Sequence, residues 1–215
     1  MKILIGQPFH EEETEQLEYE IKNNKGIDAV LFPEGYLSNE SALKKACDIA
    51  REHNVIIISS YRRDNKDRAA IIDNLGDLVL ERAKTPPDEK IEIYEPSLVN
   101  INGSTIGYLL CMEILKGVRD LKIINGNIDF IAHPIGVGMF SNEQFEEWIN
   151  EAKRIAKKYH TMIIGTSHAD GSYRNCGISI PIAYFIYSNG EEVFVSKSDT
   201  RTRIVNLNTM EVQIV

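Results

Sequence analysis

A chain of 215 residues, 43% hydrophobic and 26% charged, is long enough for one domain with a sizeable core and ordinary in composition for a soluble globular protein. Its net charge of −8 argues against nucleic acid or an anionic membrane as partner, because both require clustered Lys and Arg. The apolar run after Met1-Lys2 is too short for a signal-peptide core, and no stretch approaches the roughly 18 apolar residues of a membrane span.

Three widely spaced cysteines, Cys47, Cys111 and Cys176, make neither a disulfide framework nor a CxxC metal site, and they suit a reducing cytoplasm. No repeat or linker interrupts residues 1–215, which are expected to form one domain. Apolar runs predict buried strands at Lys2 to Gln7, Asp28 to Pro33 and Val55 to Ser59. Amphipathic helices are expected between them, at Glu11 to Asn23 and Ser38 to His53. This is a β-α-β-α-β opening.

The middle reads as consecutive strands: Ala69 to Asp73, Leu78 to Arg82, Ile91 to Tyr94, Leu98 to Asn102 and Thr105 to Cys111. Asn102-Gly103 is a strong hairpin signal. A strand at Asp129 to Ala132 follows. Ser141 to Tyr159 is the clearest helix, with Ser141 and Gln144 as a capping box. Thr161 to Thr166 is a strand, and Gly177 to Val215 is mostly strand with a turn at Ser188-Asn189-Gly190. The sum is a mixed α/β chain with about four helices.

Three polar residues stand where apolar strand runs end: Glu34, Lys84 and Cys111. In α/β sheets, sites collect outside the carboxyl ends of strands. Their chemistry would be coherent together. A thiolate is a nucleophile once a neighbour takes its proton. A carboxylate can accept that proton and return it to a leaving amine. An ammonium can hold an oxyanion. Such a set supports acyl transfer to water with no metal or cofactor.

The order and spacing of these residues, 50 and then 27 apart, resembles that of the nitrilase (carbon–nitrogen hydrolase) superfamily. Phe32-Pro33-Glu34-Gly35 is similar to the family's F/L-P-E signature. Gly107-Tyr108-Leu109-Leu110-Cys111-Met112-Glu113 is similar to its G-x-x-I-C-Y-D/E. The opening strand ending in Gln7, Ile131-Ala132-His133-Pro134, and Gly177-Ile178-Ser179 with Asn189-Gly190 extend the resemblance over nearly the whole chain. It departs at Arg82-Ala83-Lys84-Thr85-Pro86, which lacks the family's usual lysine context and leaves Lys90 as a second candidate. A second departure is the end of the long helix, Arg154-Ile155-Ala156-Lys157-Lys158-Tyr159.

The resemblance implies a four-layer α-β-β-α sandwich, usually a homodimer or higher homo-oligomer. It implies a Glu34–Lys84–Cys111 triad acting on a small non-peptide amide or carbamoyl compound. It also suggests Glu92 as a supporting glutamate. His133, at a strand end before proline, and Met112, next to Cys111, are expected as substrate-binding residues. Nitrile hydrolysis or acyl transfer on the same scaffold is an alternative, as is a non-catalytic member that binds a ligand or partner. Specificity is expected from loops around Asn65, Pro87, Val137 and Ser172.

Each residue also has a plain structural reading. Cys47 lies on the apolar stripe of its helix and reads as core; Cys176 reads as structural. Cys111 could be a strand-end core residue, and Glu34 a carboxylate facing a helix dipole. Lys84 could be an exposed lysine leading into the proline loop, and Glu92 the solvated face of a strand. His133 could be a hydrogen-bonded structural histidine, or the partner of Cys111 in a Cys-His dyad.

Overall fold

The computed structural model describes residues 1–121, 128–170 and 177–215. Cys176 and the loop at Ser172 lie outside these residues. The chain opens with three parallel strands, β1 (Lys2–Ile5), β2 (Ala29–Leu31) and β3 (Ile56–Arg63). Two crossover helices join them, α1 (Glu15–Asn23) and α2 (Glu40–His53). Parallel pairing requires such crossovers, and strands covered on both faces read as unbroken apolar runs. Ile3, Ile5, Leu31 and Ile58 point into the core between the sheets, while Leu4, Val30 and Ile57 pack under Leu17, Ile21, Ala46 and Ile49 of the helices.

Strands β4 (Lys66–Ile72) and β5 (Leu78–Ala83) then fold back as hairpins. The β3–β4 turn uses only Asp64 and Asn65, both at positive φ (52° and 57°), the geometry a two-residue hairpin demands. A second sheet starts with β6 (Leu98–Ile101) and β7 (Ser104–Tyr108), joined through Asn102 (φ 53°) and Gly103 (φ 84°) as their sequence predicts. Helix α3 (Ile114–Asp120), strand β8 (Phe130–Pro134), helix α4 (Asn142–Tyr159) and strand β9 (Met162–Thr166) repeat the parallel winding of the first half. Strands β10 (Ile182–Ile186) and β11 (Glu192–Lys197) complete this sheet; β12 (Arg203–Asn206) and β13 (Val212–Ile214) return to the first.

The two sheets run β13-β12-β1-β2-β3-β4-β5 and β11-β10-β9-β8-β7-β6. They face each other across Ile5, Leu31, Tyr108, Phe130 and Phe185. Helices α3 and α4 cover the outer face of the second sheet through Ile114, Trp148, Ile149 and Ile155. The layers are therefore α-β-β-α, as the resemblance implies.

Three local readings need correction. Residues 91–94 form no strand. The segment is a loop pinned from outside the sheet: the Lys116 ammonium donates to the carbonyls of Pro86 (3.0 Å), Asp88 (2.5 Å) and Ile91 (2.7 Å). Helix α2 is capped by Asn39, not begun by Ser38; the Asn39 side chain accepts from the Ala42 N–H. At α4 the Ser141 hydroxyl accepts from Gln144 N–H (3.1 Å), but the Gln144 carbonyl reaches back to the Phe140 N–H (2.7 Å), one residue beyond the capping-box partner. No helix among the described residues is long and apolar enough to cross a membrane.

Candidate active site

The carboxyl ends of the central strands meet at one cavity of about 240 Å³. Glu34, Lys84 and Cys111 all line it. Glu34 follows β2 in a turn held from several sides. Its N–H donates to the Ile135 carbonyl (3.1 Å), and its own carbonyl accepts from His168 Nε2 (3.1 Å). The Gly35 N–H donates to Ser60 Oγ (2.6 Å), and Gly35 sits at φ 72°. Across the cavity, Gly136 leaves room for the carboxylate: a Cβ there would stand 2.8 Å from Glu34 Oε2.

The Lys84 ammonium lies 2.6 Å from Glu34 Oε1. Cys111 stands close enough for its thiol and the same carboxyl group to shift each other's proton affinity. Cys111 occupies φ +53°, a left-handed conformation that costs a residue with a Cβ about 1–3 kcal/mol and tends to mark a constrained functional position.

The electrostatics follow from burial. Loss of solvent raises the proton affinity of Glu34 above the usual carboxylate range; Lys84 opposes this, and the charge of Asp67 adds to it. Burial and then the Glu34 charge push the Cys111 thiol up to about 12, while Lys84 and the Gly136 backbone pull it down. Burial disfavours the Lys84 charge, but the acidic groups Cys111, Glu34 and Asp67 around it outweigh this and raise its proton affinity. The site thus holds an ammonium and an un-ionised thiol beside a carboxyl group whose proton affinity is raised.

Behind these residues lies a buried ion pair. The Glu113 carboxylate, 1% exposed, accepts from Arg82 Nη1 (2.7 Å) and Nη2 (2.6 Å). It also accepts from the backbone N–H groups of Leu110 (2.7 Å) and Thr85 (2.8 Å). Leu110 precedes Cys111 and Thr85 follows Lys84. One carboxylate therefore ties the Cys111 turn, after a strand of the second sheet, to the end of the Lys84 strand in the first. The signal was available: Arg82 lies two residues before Lys84, on the same strand face, and Glu113 closes the cysteine motif.

The other expected site residues fall differently. Glu92 is exposed on the 88–97 loop, where its charge acts on Arg119, and it is no part of the cavity wall. The alternation of the segment turns Ile93 inward and Glu92 outward. Lys90 is likewise exposed and away from the cavity. Met112 is on the cavity wall, 44% exposed.

His133 is fully buried behind the site rather than within it. Its Nε2 lies 2.8 Å from the Cys111 carbonyl, which can only accept, so Nε2 carries the proton. Nδ1 then accepts from the Tyr184 hydroxyl at 2.5 Å. Burial lowers the His133 pKa to about 4. Such a histidine orients the Cys111 backbone and does not face its sulfur, which removes the Cys-His dyad. Cys47 is partly buried on α2 against the outer core, where burial raises its pKa. The Val137 loop lines the cavity, and so does Asp67, two residues beyond the turn at Asn65. The remaining walls include Met139, Phe140 and Trp148.

No family model matches the chain, and no curated protein matches it. Solved structures do. A carbon-nitrogen hydrolase from Helicobacter pylori G27 superposes with TM-score 0.76 at 12% identity, over 98% of this chain and 90% of that one. A double mutant of the amidase from Nesterenkonia sp. AN1 in complex with acrylamide gives TM-score 0.77 at 13% identity, over 95% and 89%. A mutant of that amidase with the acetamide moiety of fluoroacetamide added covalently at its active-site cysteine gives 0.70 at 13%, over 95% and 89%. The Nesterenkonia protein is an amidase of the nitrilase superfamily. At such identities the likeness is one of architecture: the chain has the fold of the nitrilase-superfamily carbon–nitrogen hydrolases.

Proposed function

We propose that the protein hydrolyses a small non-peptide amide or carbamoyl C–N bond through a thioester on Cys111. The observation that carries this reading is the meeting of three groups in one small cavity, with Lys84 2.6 Å from Glu34 and Cys111 on the same wall. The thiol is held un-ionised, so attack requires Glu34 to take its proton as the C–S bond forms. The raised proton affinity of Glu34 makes it a stronger base than an exposed carboxylate. Lys84 and a backbone N–H beside Cys111 hold the oxyanion.

Collapse of the tetrahedral intermediate breaks the C–N bond, and Glu34 gives its proton to the departing ammonia or amine. Glu34 then takes a proton from water, whose oxygen attacks the thioester. The carboxylic acid leaves and the thiol regains its proton. In a mutant of the Nesterenkonia amidase the acetamide moiety of fluoroacetamide is added covalently at the active-site cysteine; that adduct keeps its amide, so it supports a reactive cysteine on this scaffold and is distinct from the carbonyl attack proposed for Cys111. The cavity, small and walled mainly by apolar side chains, suits a small acyl group.

Intact-mass measurement after incubation with a panel of small amides tests this. An adduct of acyl-group mass on the wild type, absent from Cys111→Ala, is the expected result. Turnover of an amide by Cys111→Ala at the wild-type rate would sink it.

A further inference from the structure

Asp67 has no part in the mechanism above, yet its position in the sheet places it beside Lys84. Strands β4 and β5 pair Arg68 with Ala83, and the register continues one step: the Lys84 N–H donates to the Asp67 carbonyl at 2.9 Å. Residues directly opposite in an antiparallel pair project from the same face with Cβ atoms about 4.5–5.5 Å apart. Ala69 and Leu80 of these strands point into the core between the sheets, and Arg82 reaches Glu113 across it. By the two-residue period, Asp67 and Lys84 share the face of Ala69 and Arg82. Asp67 and Lys84 both line the cavity, with Glu34 and Cys111.

We infer that Asp67 is a positioning residue of this site: as the cross-strand neighbour of Lys84 it shares the ammonium with Glu34, and so limits how far Lys84 can stabilise a Cys111 thiolate. The inference rests on the reading of Cys111 as nucleophile. It adds to burial and the Glu34 charge, which already hold the thiol un-ionised beside a lysine, because a second acidic side chain stands next to the ammonium on the cavity wall. The charge of Asp67 raises the proton affinity of both Glu34 and Lys84. The other groups near Cys111 are accounted for: His133 faces its carbonyl and is neutral, and the Glu113 charge is matched by Arg82. The un-ionised thiol makes proton transfer to Glu34 part of the attack itself, so the nucleophile is spared from adventitious electrophiles until a substrate is seated.

The test is the rate at which Cys111 of the intact protein reacts with methyl methanethiosulfonate between pH 7 and pH 9.5. This reagent is small, uncharged and not an amide; the reaction is followed by mass on the Cys111 peptide. Asp67→Asn should react faster than wild type at each pH. A thiol ionising about one unit lower gives tenfold more thiolate, and with nucleophilicity falling at a slope of about 0.4–0.5 the net gain is about threefold. Asp67→Glu should restore the wild-type rate, which a purely structural role would not require. Asp67→Ser, which also removes the charge, should behave like the Asn variant and stands in for it if the latter fails to fold. Equal rates in wild type and the neutral variants would overturn the inference while leaving the amidase reading intact. A Cys111 inert at every pH in all variants would overturn both.

Discussion

The positive φ of Cys111 is a residue-scale fact with a measurable energy. Ala at this position keeps the strain of a Cβ in the left-handed region, whereas Gly does not. Cys111→Gly should therefore be more stable than Cys111→Ala by about 1 kcal/mol, read from urea denaturation midpoints. Equal stability would mean that the turn relaxes when the sulfur is lost. Glu34 invites a functional prediction. On the proposed mechanism Glu34 carries the proton, so with Glu34→Gln hydrolysis should fall about 10²–10⁴-fold, the usual contribution of general acid–base catalysis. Because burial raises its proton affinity, the acid limb of kcat/KM should lie above the ordinary carboxylate value of 4.5: activity is lost as pH falls and Glu34 becomes protonated. A limb at or below 4.5 would exclude Glu34 as the base.

The elements explain why some of this was legible in the sequence. Hairpins announced by Asn102-Gly103, strands read from unbroken apolar runs, and the long helix before Tyr159 all depend on local chemistry. Glu34 and Cys111 were visible because each ends such a run. Residues 88–97 were misread because their shape is fixed by a distant residue, Lys116, whose ammonium holds three carbonyls of the loop. Helix α3 was missed because it is only seven residues long and contains Gly117. That glycine is there for packing: a Cβ would stand 2.7 Å from Ile155 Cδ1 of α4. The Arg82–Glu113 pair is the element-scale tie. Removing one member strands a buried charge, so Glu113→Ala should cost about 3–5 kcal/mol in stability, whereas replacing both with apolar residues should recover much of the loss. Urea titrations of the single and double variants check this.

For the whole molecule, the alternation of strands and helices was readable, but the docking of the two sheets was not. Glu92 was misplaced for that reason, since only docking decides which carboxylate reaches the site from the other layer. Docking also buries His133 and His168, whose pKa values burial lowers to about 4 from 6.5. Between these values the unfolded chain binds protons that the folded chain refuses. Their contribution to stability is complete above pH 6.5 and is lost as pH falls towards about 4. Thermal scans should show Tm dropping steeply across that window, and a flat profile would contradict the burial of both rings as neutral species.

Glu34 and Lys84 follow strands of the seven-stranded sheet, and Cys111 follows a strand of the six-stranded one. Neither sheet alone sets the chemistry of the sulfur. In an unfolded or half-assembled chain Cys111 is an ordinary thiol near 9.0; in the docked molecule it stands near 12. The sulfur is therefore a built-in clock for maturation. During refolding, a pulse of thiol reagent should label Cys111 readily until the sheets close and only slowly afterwards. Closure of the sheets becomes the last step of maturation, and immature copies betray themselves by a quick sulfur.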